Sequence, residues 1–242
     1  MNASGSAIVL SLFLGWCMLP ASSHEQTEFG TIEGQVRFTG IVPPPKKIMT
    51  NDGTTLLHND LVVDPKTKGL RHVVVVLENA PAQSKAKKED AVLVDQRDMV
   101  FLPRVVAIRN GQKVRFENND LCNHSVIASS TKSANQFNIV AASNQPYVHV
   151  FEPQKHPVQI GCSFHPWMLA WIYVVPHPWF AVTDAQGKFR IERIPSGKYS
   201  VWLRHADSGL QERQQVHVEA GKTAKSKIEW PKANDGQPVR SK

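Results

Sequence analysis

Apolar residues along this chain either recur at every second position or run together in short blocks, and no segment keeps a helical spacing over several turns. Thr31-Ile32-Glu33-Gly34-Gln35-Val36-Arg37-Phe38 alternates cleanly, which predicts a strand with one buried face. Val73 to Leu77 is an unbroken apolar run of the kind expected in a buried strand. The same reading predicts strands at Val105 to Ile108, Lys113 to Phe116, Tyr147 to Phe151, Val158 to Cys162 and Ala170 to Val175. After His177-Pro178 come Trp179 to Thr183, a turn at Gly187, Phe189 to Ile191, a turn at Pro195-Ser196-Gly197, and Tyr199 to Leu203. A last hairpin around Gly221 runs from Val216 and Val218 to Ile228 and Trp230. Such regular spacing of short strands and turns predicts an all-β protein. Pro43-Pro44-Pro45 and Ser84 to Asp90 read as exposed loops.

The amino terminus changes this picture. The first 23 residues carry no charged side chain, run apolar from Ala7 to Leu19 and end on the small residues Ala21-Ser22-Ser23. This is the pattern of a cleaved secretory signal; a stable membrane span is disfavoured by the short run and by Pro20. Only Cys122 and Cys162 lie beyond it, too few for a disulfide scaffold, so the core has to come from apolar burial. The net charge of +7 is uneven: from residue 178 onward 12 Lys/Arg stand against 7 Asp/Glu. That excess fits ordinary solubility better than an acidic partner, and nucleic-acid binding has no motif and conflicts with export.

Candidate chemistry concentrates in Cys162-Ser163-Phe164-His165-Pro166-Trp167-Met168. A thiolate, an imidazole and a thioether on one tight loop suit copper, because Cys and Met sulfur favour Cu(I) while imidazole also serves Cu(II). Zinc prefers closed Cys/His sets and seldom takes Met. Asn123-His124-Ser125 supplies a second imidazole upstream. His124, Cys162 and His165 would form a trigonal plane tolerable to both copper states, with Met168 as a distant axial donor and Pro166 restraining the loop.

That loop resembles the ligand loop of cupredoxins, the amicyanin form above all, in its C-x2-H-P-aromatic-M spacing. The run "VVAIRNGQKVRFENNDLCNHSV" resembles the cupredoxin segment that leads to the first His ligand. Taken with the small β module after the copper loop, the arrangement looks like the cupredoxin-containing methylamine-utilisation proteins of the MauL type. The run "GKFRIERIPSGKYSVWLRH" resembles carboxypeptidase-regulatory-like or transthyretin-like modules. The resemblance implies a cupredoxin Greek-key β-sandwich followed by a small transthyretin-like β-sandwich. It implies one type 1 copper per chain, held by His124, Cys162, His165 and Met168.

The expected organisation is a signal peptide over 1–23, an N-terminal β extension packing on the following domains over 24–90, and the copper domain over 91–176. The small β-sandwich follows over 177–230 and a disordered tail over 231–242. The strand between Gly30 and Gly40 is available to complete the C-terminal sheet, an arrangement that makes the copper domain an insertion. Ser125 stands where the family commonly has Asn, which touches the tuning of the thiolate by hydrogen bonds. Cys122, two residues before His124 on an expected strand, lies about 7 Å away on the same face and is read as a buried thiol or as a disulfide partner of Cys162 in the metal-free protein. His58, His72, His149, His156, His205 and His217 have no partner spacing, and His24 would become the amino terminus after cleavage.

These features predict a periplasmic electron carrier that turns over no small substrate, loaded by a dehydrogenase and discharged to a c-type cytochrome, with amine oxidation as the setting the resemblance implies. Two other classes stay open at this point. One is copper delivery or assembly of a cofactor enzyme, which needs an exchangeable site. The other is a structural or carbohydrate-binding protein whose binding face is built from Tyr199, Trp202 and Trp230.

Overall fold

The structure, a computed structural model, describes residues 29–50, 53–81 and 91–230 together with Met1. The expected signal peptide, His24, the Ser84 to Asp90 loop and the 231–242 tail lie outside the described residues. In chain order the strands are β1 (Phe29–Phe38), β2 (Lys46–Met49), β3 (Thr55–His58), β4 (Val73–Glu78), β5 (Val92–Arg97) and β6 (Val100–Leu102). Then come β7 (Val105–Arg109), β8 (Lys113–Asn118), β9 (His124–Ser129), β10 (Phe137–Ala141), β11 (Tyr147–Val150) and β12 (Val158–Gly161). The last six are β13 (Leu169–Val175), β14 (Phe180–Val182), β15 (Lys188–Pro195), β16 (Gly197–His205), β17 (Gln211–Val218) and β18 (Thr223–Trp230). Among the described residues the one helical element is a 3₁₀ turn at Ser133–Asn135, so the protein is all-β.

Two sandwiches result. The first packs sheet β10-β9-β12-β13-β7 on sheet β11-β8-β5-β6. Its core holds Val94, Phe101, Ile108, Val114, Phe116, Val126, Phe151, Val158, Ile160 and Ile172, and it also takes in Cys162 and Met168. The second packs β15-β1-β18 on β14-β4-β16-β17, around Ile32, Val36, Phe38, Leu77, Trp179, Phe189, Leu203 and Trp230. β1 runs antiparallel to β15 and parallel to β18, so the strand between Gly30 and Gly40 does complete the C-terminal sheet. Residues 91–176 therefore enter and leave between β4 and β14, two neighbours in the second sandwich.

Successive side chains of a strand face opposite ways, and this explains the unbroken apolar runs. In β4, Val73, Val75 and Leu77 enter the second core, whereas Val74 and Val76 join a third cluster with Val105, Tyr173 and Val175. In β13, Ala170, Ile172 and Val174 enter the first core while Tyr173 and Val175 face that third cluster. Each strand is buried on both faces because the two sandwiches pack through them. Beside this seam Arg104 forms a two-pronged pair with Asp207, both contacts at 2.9 Å, and Trp171 Nε1 donates to the same carboxylate at 2.8 Å.

Candidate metal centre

β9 and β12 are antiparallel neighbours, with Gly161 opposite Ile127, so the start of one strand meets the end of the other. His124 opens β9, Cys162 follows the last residue of β12, and the loop into β13 carries His165 and Met168. The Met168 N–H donates to the His165 carbonyl at 2.9 Å, closing that loop into a tight turn. The two ligand segments are then stitched together. The Ser163 N–H donates to Ser125 Oγ at 2.7 Å, and the two serine hydroxyls share a bond of 2.8 Å. Ser125 thus ties one loop to the other through its hydroxyl, and its backbone N–H donates to Cys162 Sγ at 3.4 Å.

Three donors converge. His124 Nδ1 lies 3.0 Å from His165 Nδ1, and Cys162 Sγ lies 3.8 Å and 3.7 Å from those two nitrogens. The residues are 0%, 8% and 6% exposed for His124, His165 and Cys162, so bulk water does not separate the three atoms. A triangle with these sides has a point about 2 Å from all three corners, against ordinary metal–nitrogen and metal–sulfur bonds of about 2.0 and 2.3 Å. The donor set and its spacing fit a single metal ion. Met168, fully buried, sits under the same loop in the first core.

The electrostatics point the same way. Burial pushes the Cys162 thiol up, but a hydrogen bond with His124 and the N–H groups of Ser125, Phe164 and His165 outweigh it, and its pKa falls to about 6. Burial pulls His124 down, yet its bonds to Cys162 and Asp120 leave it raised above the ordinary histidine value. Asp120 Oδ2 lies 2.9 Å from His124 Nε2. A carboxylate only accepts, so a proton sits on Nε2, and Nδ1 is the nitrogen turned toward Cys162 and His165.

Asp120 is the residue that the sequence reading missed. A carboxylate four positions before a histidine in a loop has no distinctive spacing, and it is the fold that turns it inward. It also accepts the N–H groups of Asp98 and Met99, at 2.7 and 3.1 Å, and so braces the β5–β6 turn against the site. Gln96, fully buried, donates to the Ser125 carbonyl at 3.1 Å. Cys122 departs from the reading. It is exposed in the β8–β9 loop, 3.5 Å from His124 Nε2, while Cys162 lies on the Nδ1 side. The imidazole stands between the two cysteines, so a Cys122–Cys162 disulfide requires the ring to move aside. Around the loop Phe164 is 50% exposed and Pro166 is exposed, but Trp167 is half-buried and its indole N–H donates to the Met99 carbonyl at 3.1 Å.

No known family description matches this chain, and no curated protein matches it. Solved structures do. The copper-containing nitrite reductase of Thermus scotoductus SA-01 is 22% identical over 40% of this chain and 25% of its own, with a TM-score of 0.33. A purple cupredoxin from Nitrosopumilus maritimus is 22% identical over 35% of this chain and 99% of its own, with a TM-score of 0.31. Amicyanin from Paracoccus versutus is 24% identical over 42% of this chain and 97% of its own, also with a TM-score of 0.31. The likeness is to cupredoxins. This chain spans a quarter of the length of the nitrite reductase it matches.

The remaining histidines are dispersed. Among the described residues one group of three or more His, Cys, Asp and Glu side chains converges closely enough to hold a metal, and it is His124, Cys162 and His165. Tyr199 and Trp230 are buried in the second core, with their polar atoms bonded to the Pro195 carbonyl at 2.8 Å and Glu212 at 2.9 Å. They do not form a shared binding face with the half-buried Trp202, whose ring lies under Arg204 and Arg213.

Proposed function

We propose that this chain is an exported type 1 blue copper protein that carries single electrons. The observation that carries the reading is the buried triangle of two Nδ1 atoms and one thiolate, with sides of 3.0, 3.7 and 3.8 Å. Copper bound there supplies a Cu(I)/Cu(II) couple. The chain supplies rigidity. Cys162 is held as thiolate near neutral pH by its four hydrogen-bond partners, and Asp120 fixes the His124 tautomer. The Ser125–Ser163 and Met168–His165 bonds hold the donors in place, so a change of charge at the site need not rearrange them. Met168 would add a thioether to the set in this reading.

Burial of all three donors argues against turnover of a small substrate at Cys162. The narrow exposed edge of His165, flanked by Phe164 and Pro166, is the side on which a protein partner would dock for exchange. A dehydrogenase is the proposed donor and a c-type cytochrome the acceptor. Amine oxidation as the setting, and the likeness to methylamine-utilisation proteins, rest on the ligand loop and the module that follows it. Export to the periplasm rests on the apolar, uncharged first 23 residues.

An optical spectrum of the full-length mature protein titrated with Cu(II) tests the reading. One equivalent should give an intense visible thiolate-to-copper band that bleaches reversibly with a one-electron reductant. A colourless protein that retains one zinc per chain in its place would overturn it.

A further inference from the structure

A second set of soft donors lies on the far side of the His124 ring. Cys122 Sγ is 3.8 Å from Met99 Sδ and 3.5 Å from His124 Nε2. The two sulfurs come from different loops, and both loops are fixed. Met99 sits in the tight β5–β6 turn, where Asp98 and Met99 take φ of 54° and 61°, the left-handed pair that two-residue hairpins require. Asp120 accepts both N–H groups of that turn, and Asn118 Nδ2 donates to the Cys122 carbonyl at 2.9 Å. Cys122 is exposed and Met99 half-buried, so the pair is reachable from solvent, unlike the triangle beneath it.

We propose that Met99 and Cys122 form an outer binding site for Cu(I), distinct from the buried triangle. Thiolate with thioether is the donor combination that selects Cu(I) among available metals, and the thioether counts against zinc. Metal–sulfur bonds of about 2.3 Å opened to a trigonal angle put two sulfurs about 4 Å apart, close to the observed 3.8 Å. His124 Nε2 stays a neighbour, because its proton is donated to Asp120 while Nδ1 faces Cys162. On binding, the Cys122 thiol loses its proton to solvent as the copper–sulfur bond forms, and no electron is transferred. The outer site therefore does not depend on the inner one.

Anaerobic titration with Cu(I) in competition with a colorimetric chelator tests this on the full mature chain. Wild type should take two equivalents, Cys162→Ala one, and Cys122→Ser one. Met99→Leu should weaken the outer equivalent at least tenfold while Cys122 remains open to alkylation, which separates a two-sulfur site from a lone surface thiol. Circular dichroism on each variant confirms that the sandwiches are intact. A single equivalent in wild type that vanishes with Cys162→Ala overturns the outer site, as does a Met99→Leu protein with unchanged affinity. A single equivalent that vanishes with Cys122→Ser and survives Cys162→Ala upholds it and sinks the blue copper reading instead.

Discussion

The two sandwiches differ in where their buried polar side chains meet. In the second sandwich such atoms are mostly consumed by the protein itself. Trp179 Nε1 donates to the Arg193 carbonyl at 2.9 Å, and Thr183 Oγ1 both donates to the Leu70 carbonyl at 2.8 Å and accepts from the Val73 N–H at 2.9 Å. Among the described residues the exceptions there are His72 Nδ1, Trp202 Nε1 and His205 Nε2, buried polar atoms with no hydrogen-bond partner. In the first sandwich two imidazole nitrogens and one thiol sulfur, all able to bind a metal, converge within 3.0 to 3.8 Å of one another. The apolar cores are of the same kind, so the difference lies in this one convergence of ligand-type atoms. The proposed function rests on that convergence.

The sharpest way to break this contrast is to remove the thiolate. Cys162→Ser should abolish the visible band altogether while leaving both sandwiches folded, because the cysteine is a small part of a core built from Val, Ile and Phe. Absorption and far-ultraviolet circular dichroism on the same sample read both outcomes. A variant that kept its colour would place the metal–thiolate bond elsewhere.

Next in size is the link between the sandwiches. The side chains of Arg104 and Asp207 are 12% and 4% exposed. Burial raises the Asp207 carboxyl, but Arg104 and Trp171 hold it below its ordinary value. Arg104→Ala leaves that carboxylate buried beside Trp171 alone, a change that costs about 3–5 kcal/mol. Urea unfolding should show the loss. If the midpoint does not move, the sandwiches are stabilised independently and the seam contributes little.

Much of this architecture was legible in the chain. Alternation located β1, and the unbroken run of β4 announced a buried strand, although only the fold shows that one of its faces meets the other sandwich, as one face of β13 does. Strands whose pattern is spoiled by function or pairing were harder to see. β5 carries Asp95 and Gln96, both buried, before its last residue Arg97, and β9 opens on His124 and Ser125, both buried and polar. Such positions break the apolar alternation because hydrogen bonds or neighbouring donors, not hydrophobicity, place them inside. Cys162, His165 and Met168 stood out by soft-ligand spacing on one loop and His124 as an imidazole upstream, and the fold brings the thiol and the two imidazoles together. Asp120, Gln96 and the Met99–Cys122 contact were not legible, since each depends on long-range register.

Acid should tell the sandwiches apart. In the second sandwich His205 is fully buried; burial, with a smaller push from Arg104, lowers its pKa to about 4 despite Asp207 and Asp60 nearby and the Arg71 carbonyl. His72, facing Arg71, His205, Arg104 and Asp207, is lowered to about 3, chiefly by burial. Unfolding raises both toward about 6.5, so the unfolded chain binds more protons below that pH. Stability is therefore full above about 6.5 and lost as pH falls toward 4, by on the order of 3 kcal/mol for His205. Urea midpoints measured from pH 7 to 4 in a Cys162→Ser background, which removes the metal, should fall steeply. His205→Asn should flatten that limb; an unchanged slope would mean that the acid-sensitive groups lie elsewhere.

The smallest effect belongs to Met168. It is fully buried in the first core, and its own N–H closes the loop on the His165 carbonyl. Replacing it with Leu conserves volume and leaves that backbone bond alone, so stability should change by less than about 1.5 kcal/mol. The two imidazoles and the thiolate keep their positions, and the visible band should survive. What changes is the loss of a weak neutral electron donor, which costs the more highly charged Cu(II) more than Cu(I), so the reduction potential should rise. Potentiometric titration followed at the visible band measures that shift directly. If Met168→Leu instead lost the metal, the three-donor triangle would not be the frame that holds it, and Met168 would belong among the principal ligands.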